Sequence, residues 1–278
     1  MYKNREKEKT KRKQKALNIT AILLACVCIY SVTRLILDEM QYRQGRGSYE
    51  DLNQYMTVRQ DGEPDDQEND IDISGLDGDM SEVEIGKYIR LQELGANFSA
   101  LRSINGDVVG WIEIPGTELN YPVVQCSNND YYLNHLFTEE YNICGCPFLD
   151  YRNPDSFDSR NNVIYGHRMN DGSMFTCIQN YSSQSFYEYN PRAILYTPDG
   201  AYSVEFFSGY VTAAKGDPWK LSFSSDQQYL DWLNSLAGRS DFSADISFSA
   251  SDRVLTLSTC SHAFENARYV LHGVLREM

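Results

Sequence analysis

The chain has 278 residues, 42% of them hydrophobic, with 25 Lys and Arg against 39 Asp and Glu and a formal net charge of −14. That length and apolar content suffice for one sizeable core with accessory segments, so a single catalytic or binding domain is the default. The acidic balance argues against a nucleic-acid partner, because phosphate binding relies on clustered Lys and Arg.

The one dense basic segment, KNREKEKTKRKQK, lies within residues 1–15 and reads as a cytoplasmic tail. ALNITAILLACVCIYSVT follows, uncharged, and with LIL beyond Arg34 it supplies the roughly 20 apolar residues that cross a bilayer of about 30 Å. Arg34 can snorkel at the far end. Residues 16–37 are therefore expected to be one transmembrane anchor in the cell membrane, with the N-terminus cytoplasmic and the rest of the chain extracellular. A cleaved signal peptide is the rival reading, but no clear small-x-small cleavage site follows.

Residues 38–80 are expected to form an acidic extracellular linker. Their stretch DGEPDDQENDIDISGLDGDMSE, which runs just past that boundary, has no Lys or Arg, repels itself and cannot bury a core. A calcium loop is the sharper alternative, yet the acids lack EF-hand spacing and its closing Glu. From Ser81 the pattern changes. Ile85, Ile89, Phe98 and Leu101 fall near helical spacing and Ser81 with Glu84 makes a capping box, predicting a helix over 81–103 that opens a domain occupying 81–278. A chain lacking residues 1–80 is then expected to fold.

Short runs rich in Val, Ile, Tyr, Phe and Thr come next, broken by Gly, Pro and Asn: DVVGWIEIPG, NYPVVQ, NNVIYGH, AILYTPDG, AYSVEFFSGYV, RVLTLSTC and ARYVLHGVL. Strands at that frequency suggest a closed or nearly closed antiparallel barrel. MFTCIQNY reads as a short helix, and SSDQQYLDWLNSLAGRS sets Tyr229, Trp232, Leu233 and Leu236 on one side of a helix over 225–237 that Gly238 stops.

Of seven cysteines, Cys26 and Cys28 lie in the apolar span, leaving Cys126, Cys144, Cys146, Cys177 and Cys260, an odd set with at least one free thiol. Cys144 and Cys146 are spaced awkwardly for a mutual bridge, and a zinc site from them and a histidine matches no standard motif. Alternation puts Thr256, Ser258 and Cys260 on one strand face and Leu255 and Leu257 on the other. A cysteine there is either an inert small hydrophobe or, given a proton acceptor and a cationic neighbour, a nucleophile. His167, at the mouth of a strand and on the face of Val163 and Tyr165, is the first candidate base, and His262 beside Cys260 is the second. His272, inside the last apolar strand, reads as structural, and His135, after YYLN, reads as a turn residue. Arg268 offers a planar fork for carbonyls or an oxyanion; its bland alternative is a surface ion pair with Glu265 or another acid.

TLSTC with Arg268 shortly after it, and YGHRMNDGSMF upstream, resemble a sortase of class B. The likeness continues through INGDVVGWIEIPGTELNYPVVQ, NNDYYLNHLF, PFLDYRN, SFYEYNPRAILY and ARYVLHGVL, over roughly residues 100–276. This resemblance implies a mainly β fold, an eight-stranded sortase-type barrel with an N-terminal helix and a helix in the loop before the cysteine strand, preceded by one transmembrane helix. It implies a cysteine transpeptidase with Cys260 as nucleophile, His167 as acid/base partner and Arg268 as the group that positions substrate and stabilises its oxyanion. Asn129, Leu133, Ser258, Thr259 and Trp219 would contact the peptide, and no metal or cofactor is required. The implied partners are surface proteins bearing a C-terminal sorting motif, cleaved after Thr through a thioester, and a peptidoglycan precursor or crossbridge amine. Pilin polymerisation, a hydrolytic cysteine peptidase and a non-catalytic surface adhesion module are the alternatives. Some class B members carry an acid where this chain has His262, which leaves open whether His262 tunes the thiolate.

Overall fold

The computed structural model describes residues 2–58, 94–261, 263 and 265–278. The described chain divides into two compact units, Met1–Gln44 and Gly45–Met278. Helix α1 spans Tyr2–Leu52. It contains an 18-residue window of mean hydropathy 2.1, long and apolar enough to cross a membrane, in which Leu17, Ile22, Leu23 and Ile29 stay uncovered.

The end of α1 belongs to the second unit, which alters the linker expected over 38–80. Tyr49 and Leu52 are only 4% and 3% exposed. The Tyr49 ring meets Tyr121 edge-on at 5.1 Å, and its hydroxyl donates to the Gly145 carbonyl at 2.5 Å. A Cβ on Gly45 would stand 2.8 Å from the Cys144 sulfur, so only a glycine lets the helix lie this close. Strand β1 (Met56–Val58) then pairs antiparallel with β2 (Leu94–Ala96). Residues 38–58 are thus helix, a 3-10 turn and strand, and the acidic stretch 61–82 lies outside the described residues. The single helix predicted over 81–103 is also revised, since residues 94–96 are strand. Asn97 starts helix α2 (Phe98–Ile104) afresh, its Oδ1 accepting the Ala100 N–H, while 81–93 lies outside the described residues.

These contacts shift the expected folding boundary. Removing residues 1–44 should leave the thermal midpoint of the second unit unchanged, whereas removing 1–58 strips out Tyr49, Leu52 and β1. Burial of two such side chains contributes about 3–5 kcal/mol, so the longer truncation should melt roughly 10 °C lower. Equal midpoints by calorimetry would show that the packed end of α1 is dispensable.

Eight strands close the barrel: β3 (Val108–Glu113), β4 (Asn120–Val124), β5 (Phe148–Leu149), β6 (Asn161–Tyr165), β7 (Arg192–Thr197), β8 (Gly200–Ala213), β9 (Val254–Cys260) and β10 (Ala267–Glu277). Their spatial order is β10-β8-β7-β3-β4-β5-β6-β9, with β9 returning to β10. The barrel is not wholly antiparallel as its strand frequency suggested, because β4–β5 and β6–β9 are parallel pairs. Long connections between those strands make the parallel crossings possible. MFTCIQNY forms a 3-10 helix over Phe175–Ser182 and leads into α3 (Gln184–Tyr189).

Between β8 and β9 lies α4 (Asp226–Ala237), capped by Ser225, whose hydroxyl accepts the Gln228 N–H. The predicted face is the buried one. Tyr229, Trp232, Leu233 and Leu236 pack on Phe207, Tyr210, Val254, Val270 and Val274. A helix can only cover the outside of a closed barrel, so the alternate residues Leu255, Leu257 and Leu271, all fully buried, fill its interior. None of the seven cysteines is in a disulfide. Burial pushes the thiols of Cys144 and Cys146 up to about 12, which makes them poor nucleophiles.

Candidate active site

Three adjacent strands of the outer wall bring the candidate residues together. β6 and β9 run parallel with Tyr165 beside Ser258, and the Gly166 N–H continues the ladder onto the Ser258 carbonyl at 3.1 Å. Two steps further along each strand direction stand His167 and Cys260, abreast at the same rim. β10 runs antiparallel on the other side of β9 and sets Arg268 directly opposite Cys260. The backbone at each position is secured: the Phe175 N–H donates to the His167 carbonyl at 2.9 Å, and Gln179 Nε2 to the Cys260 carbonyl at 2.6 Å. Gly166 is required there, since a Cβ would stand 2.5 Å from the buried Phe175 ring.

The three side chains open on a cleft of about 460 Å³. Asn129, Leu133, Ser258, Thr259 and Trp219, the residues expected to contact peptide, all line it as well. Leu133 offers an apolar surface 40% exposed, and Asn129 Oδ1 holds the Tyr151 N–H at 3.0 Å. Ser258 Oγ, Thr259 Oγ1 and Trp219 Nε1 are buried and have no hydrogen-bond partner among the described residues. His262 lies outside the described residues.

His167 Nε2 stands 2.6 Å from the Leu133 carbonyl. A carbonyl can only accept, so Nε2 carries the proton and Nδ1 is the ring's remaining proton site. Arg268 has no carboxylate within ion-pair distance among the described residues, so the alternative pairing with Glu265 is not formed. Among the described residues its guanidinium donates to the Ala267 carbonyl, at 3.0 Å.

Sequence reasoning did not single out Phe148, Arg152, Tyr165 and Lys215 as cleft residues. Arg152 grips the fully buried Asp150 through Nε at 2.9 Å and Nη2 at 2.6 Å, and the Tyr165 hydroxyl donates to the same carboxylate at 3.0 Å. Burial alone would raise the Asp150 carboxyl, but the Arg152 bonds outweigh it and hold the group below its ordinary range. The string PFLDYRN contained this pair; its neighbouring Asp and Arg were the available signal.

His272, read as structural, is fully buried on β10 beneath α4. Burial pushes its imidazole down to about 3, with Arg239 adding to the effect and Asp217 opposing it. The folded protein keeps this ring neutral, while the unfolded chain protonates it near pH 6.5. Its contribution is intact above about pH 6.5 and is lost as pH falls from there toward 3, by at most about 1.4 kcal/mol per pH unit. In chemical denaturation between pH 7 and 4, His272→Phe should show a shallower fall of stability than the wild type; parallel slopes would refute the assignment.

The Sortase family model, described as a sortase domain, matches residues 112–276. Sortase B of Staphylococcus aureus is 32% identical over 253 residues, which cover 91% of this chain and 93% of the relative. Sortase B of Listeria monocytogenes is 36% identical over 177 residues, 63% of this chain and 72% of the relative. Among solved structures, a Staphylococcus aureus sortase B-substrate complex superposes with a TM-score of 0.68 at 31% identity, covering 86% of this chain and 99% of that one.

Proposed function

This chain belongs to the sortase family, class B, and is a sortase transpeptidase; from that footing we propose that it cleaves surface proteins after Thr in a C-terminal sorting motif and joins them to a peptidoglycan amine. The observation that carries this reading is the meeting of Cys260, His167 and Arg268 at the ends of β9, β6 and β10 on one cleft.

The Cys260 thiolate attacks the Thr carbonyl carbon, and the carbonyl electrons move onto oxygen. Arg268, with no carboxylate partner among the described residues, donates to that oxyanion. His167 in its imidazolium form gives a proton to the departing amine as the C–N bond breaks, leaving a thioester on Cys260. The acceptor amine then attacks the thioester, His167 takes its proton, and the Cys260 thiolate leaves. With Nε2 held on the Leu133 carbonyl, Nδ1 is the atom through which that proton is exchanged. Leu133, Asn129, Ser258, Thr259 and Trp219 would seat the peptide along the same cleft.

The apolar run at 16–37 behind the basic tail supports a single-pass anchor, with a cytoplasmic N-terminus and the catalytic unit outside the cell. Location and chemistry agree, because both proposed substrates lie at the cell surface. A library of sorting peptides incubated with the enzyme, with and without an amine acceptor, tests the transfer. Mass spectrometry should find acyl-enzyme on Cys260 and an amine-linked product in excess of free acid; free acid alone at saturating amine would identify a hydrolase.

A further inference from the structure

Beneath the cleft the same three strands carry a second set of polar side chains. Asn161 on β6, Thr256 on β9 and His272 on β10 are each fully buried. Register places His272 opposite Thr256, and Asn161 beside Val254. The Thr256–His272 pair thus repeats, deeper in the wall, the cross-strand pairing of Cys260 with Arg268, and Asn161 stands two residues short of the β6 position abreast of Thr256.

Its hydrogen bonds have only one consistent direction. Asn161 Nδ2 stands 2.9 Å from the Pro218 carbonyl and 3.1 Å from the Lys220 carbonyl, so it is the donor to both. Asn161 Oδ1 then accepts from the Thr256 hydroxyl at 2.6 Å. That hydroxyl has spent its proton, so it must accept from His272 Nδ1–H at 2.9 Å. His272 Nε2 is left as a buried lone pair without a partner among the described residues, near the rings of Phe207, Tyr210 and Trp232. An apolar ring at 272 would avoid that penalty and still pack there. The imidazole serves only through its Nδ1 proton.

The chain of bonds ends on the two carbonyls that flank Trp219, the aromatic wall of the cleft. We propose that His272, acting through Thr256 and Asn161, is a positioning residue that fixes the Trp219 turn and thereby sets how tightly the cleft holds its peptide. Trp232 and Arg239 secure the front of the same turn, through the Asp217 carbonyl at 3.0 Å and the Asp217 carboxylate at 2.8 Å. The Asn161 bonds are those that reach the backbone on both sides of the tryptophan. The claim about affinity rests on the cleft being the peptide site; the claim about the turn does not.

The test compares Thr256→Val, which breaks the relay, with Thr256→Ser, which keeps the hydroxyl. Hydrogen exchange followed by mass spectrometry should show the 214–221 segment exchanging about tenfold faster in Thr256→Val, with β7 unchanged and Thr256→Ser within about twofold of wild type. With a cleaved sorting peptide, Thr256→Val should raise KM about fivefold or more at nearly constant kcat, and alkylation of Cys260 by iodoacetamide should keep its rate. His272→Phe should reproduce both effects. Unchanged exchange at 214–221 in both relay variants would overturn the proposal, as would a uniform rise across the barrel or failure of Thr256→Ser to restore exchange. Faster local exchange with an unaltered KM would refute the link to peptide binding. A wild-type protein that cleaves no sorting peptide would count against the functional reading, while the exchange experiment would still decide the relay.

Discussion

Cys260→Ala is expected to abolish peptide cleavage, with a loss of about 10⁴-fold or more, because Cys260 is the one thiol among the described residues that line the cleft. The cysteine is exposed at the end of β9, so its removal creates no cavity and the thermal midpoint should hold. Two measurements are needed: turnover of a fluorogenic sorting peptide, and retention of surface proteins in cells carrying the full chain. Loss of both with an intact fold fits the transpeptidase; unaltered surface proteins would favour the adhesion-module reading. Of the other thiols, Cys144 and Cys146 are buried and raised to about 12, and the Cys177 thiol is pushed up by burial to about 11. None of these three can substitute as a thiolate near neutral pH.

Arg268→Lys is expected to lower kcat/KM roughly 100- to 1,000-fold, nearly as far as Arg268→Met. Charge alone does not account for the position. Arg268 sits across the β9–β10 ladder from Cys260 without a carboxylate partner among the described residues, leaving its planar fork free for a peptide oxygen. A lysine keeps the charge but presents a point donor on a flexible stem, without the paired geometry. Steady-state kinetics with one peptide, alongside iodoacetamide reactivity of Cys260, separates the roles. A lysine variant within about tenfold of wild type would mean that Arg268 supplies only a positive field.

The barrel rim that gathers Cys260, His167 and Arg268 was legible in the sequence, because strand alternation and local strings place those residues at strand ends. TLSTC, YGH and the following arginine name residues whose side chains are set by β9, β6 and β10, and the amphipathic face of α4 needed only its helical period. The end of α1 was not legible. Within GRGSYEDL, only Tyr49 and Leu52 are apolar and buried, and what covers them is Tyr121, Gly145 and neighbours remote in sequence. Likewise β2 has a strand's shape because β1 pairs with it, whereas its own residues lie inside a helix-like pattern. His272 reads as structural in the sequence and is fully buried, but its bond to Thr256, and through it to Asn161, joins residues that no local window contains. The parallel crossings escaped notice for the same reason, since pairing direction is a property of the closed barrel.

The β6–β9 pair has a consequence for the life of the nascent chain. Its bonds join residues as remote as Asn162 and Val254, 92 positions apart, and such distant pairings are slow to form because their loop entropy must be met first. Until that seam zips, the sulfur has no imidazole abreast of it. A half-made molecule is consequently an unarmed one, and acyl transfer starts only when folding has finished.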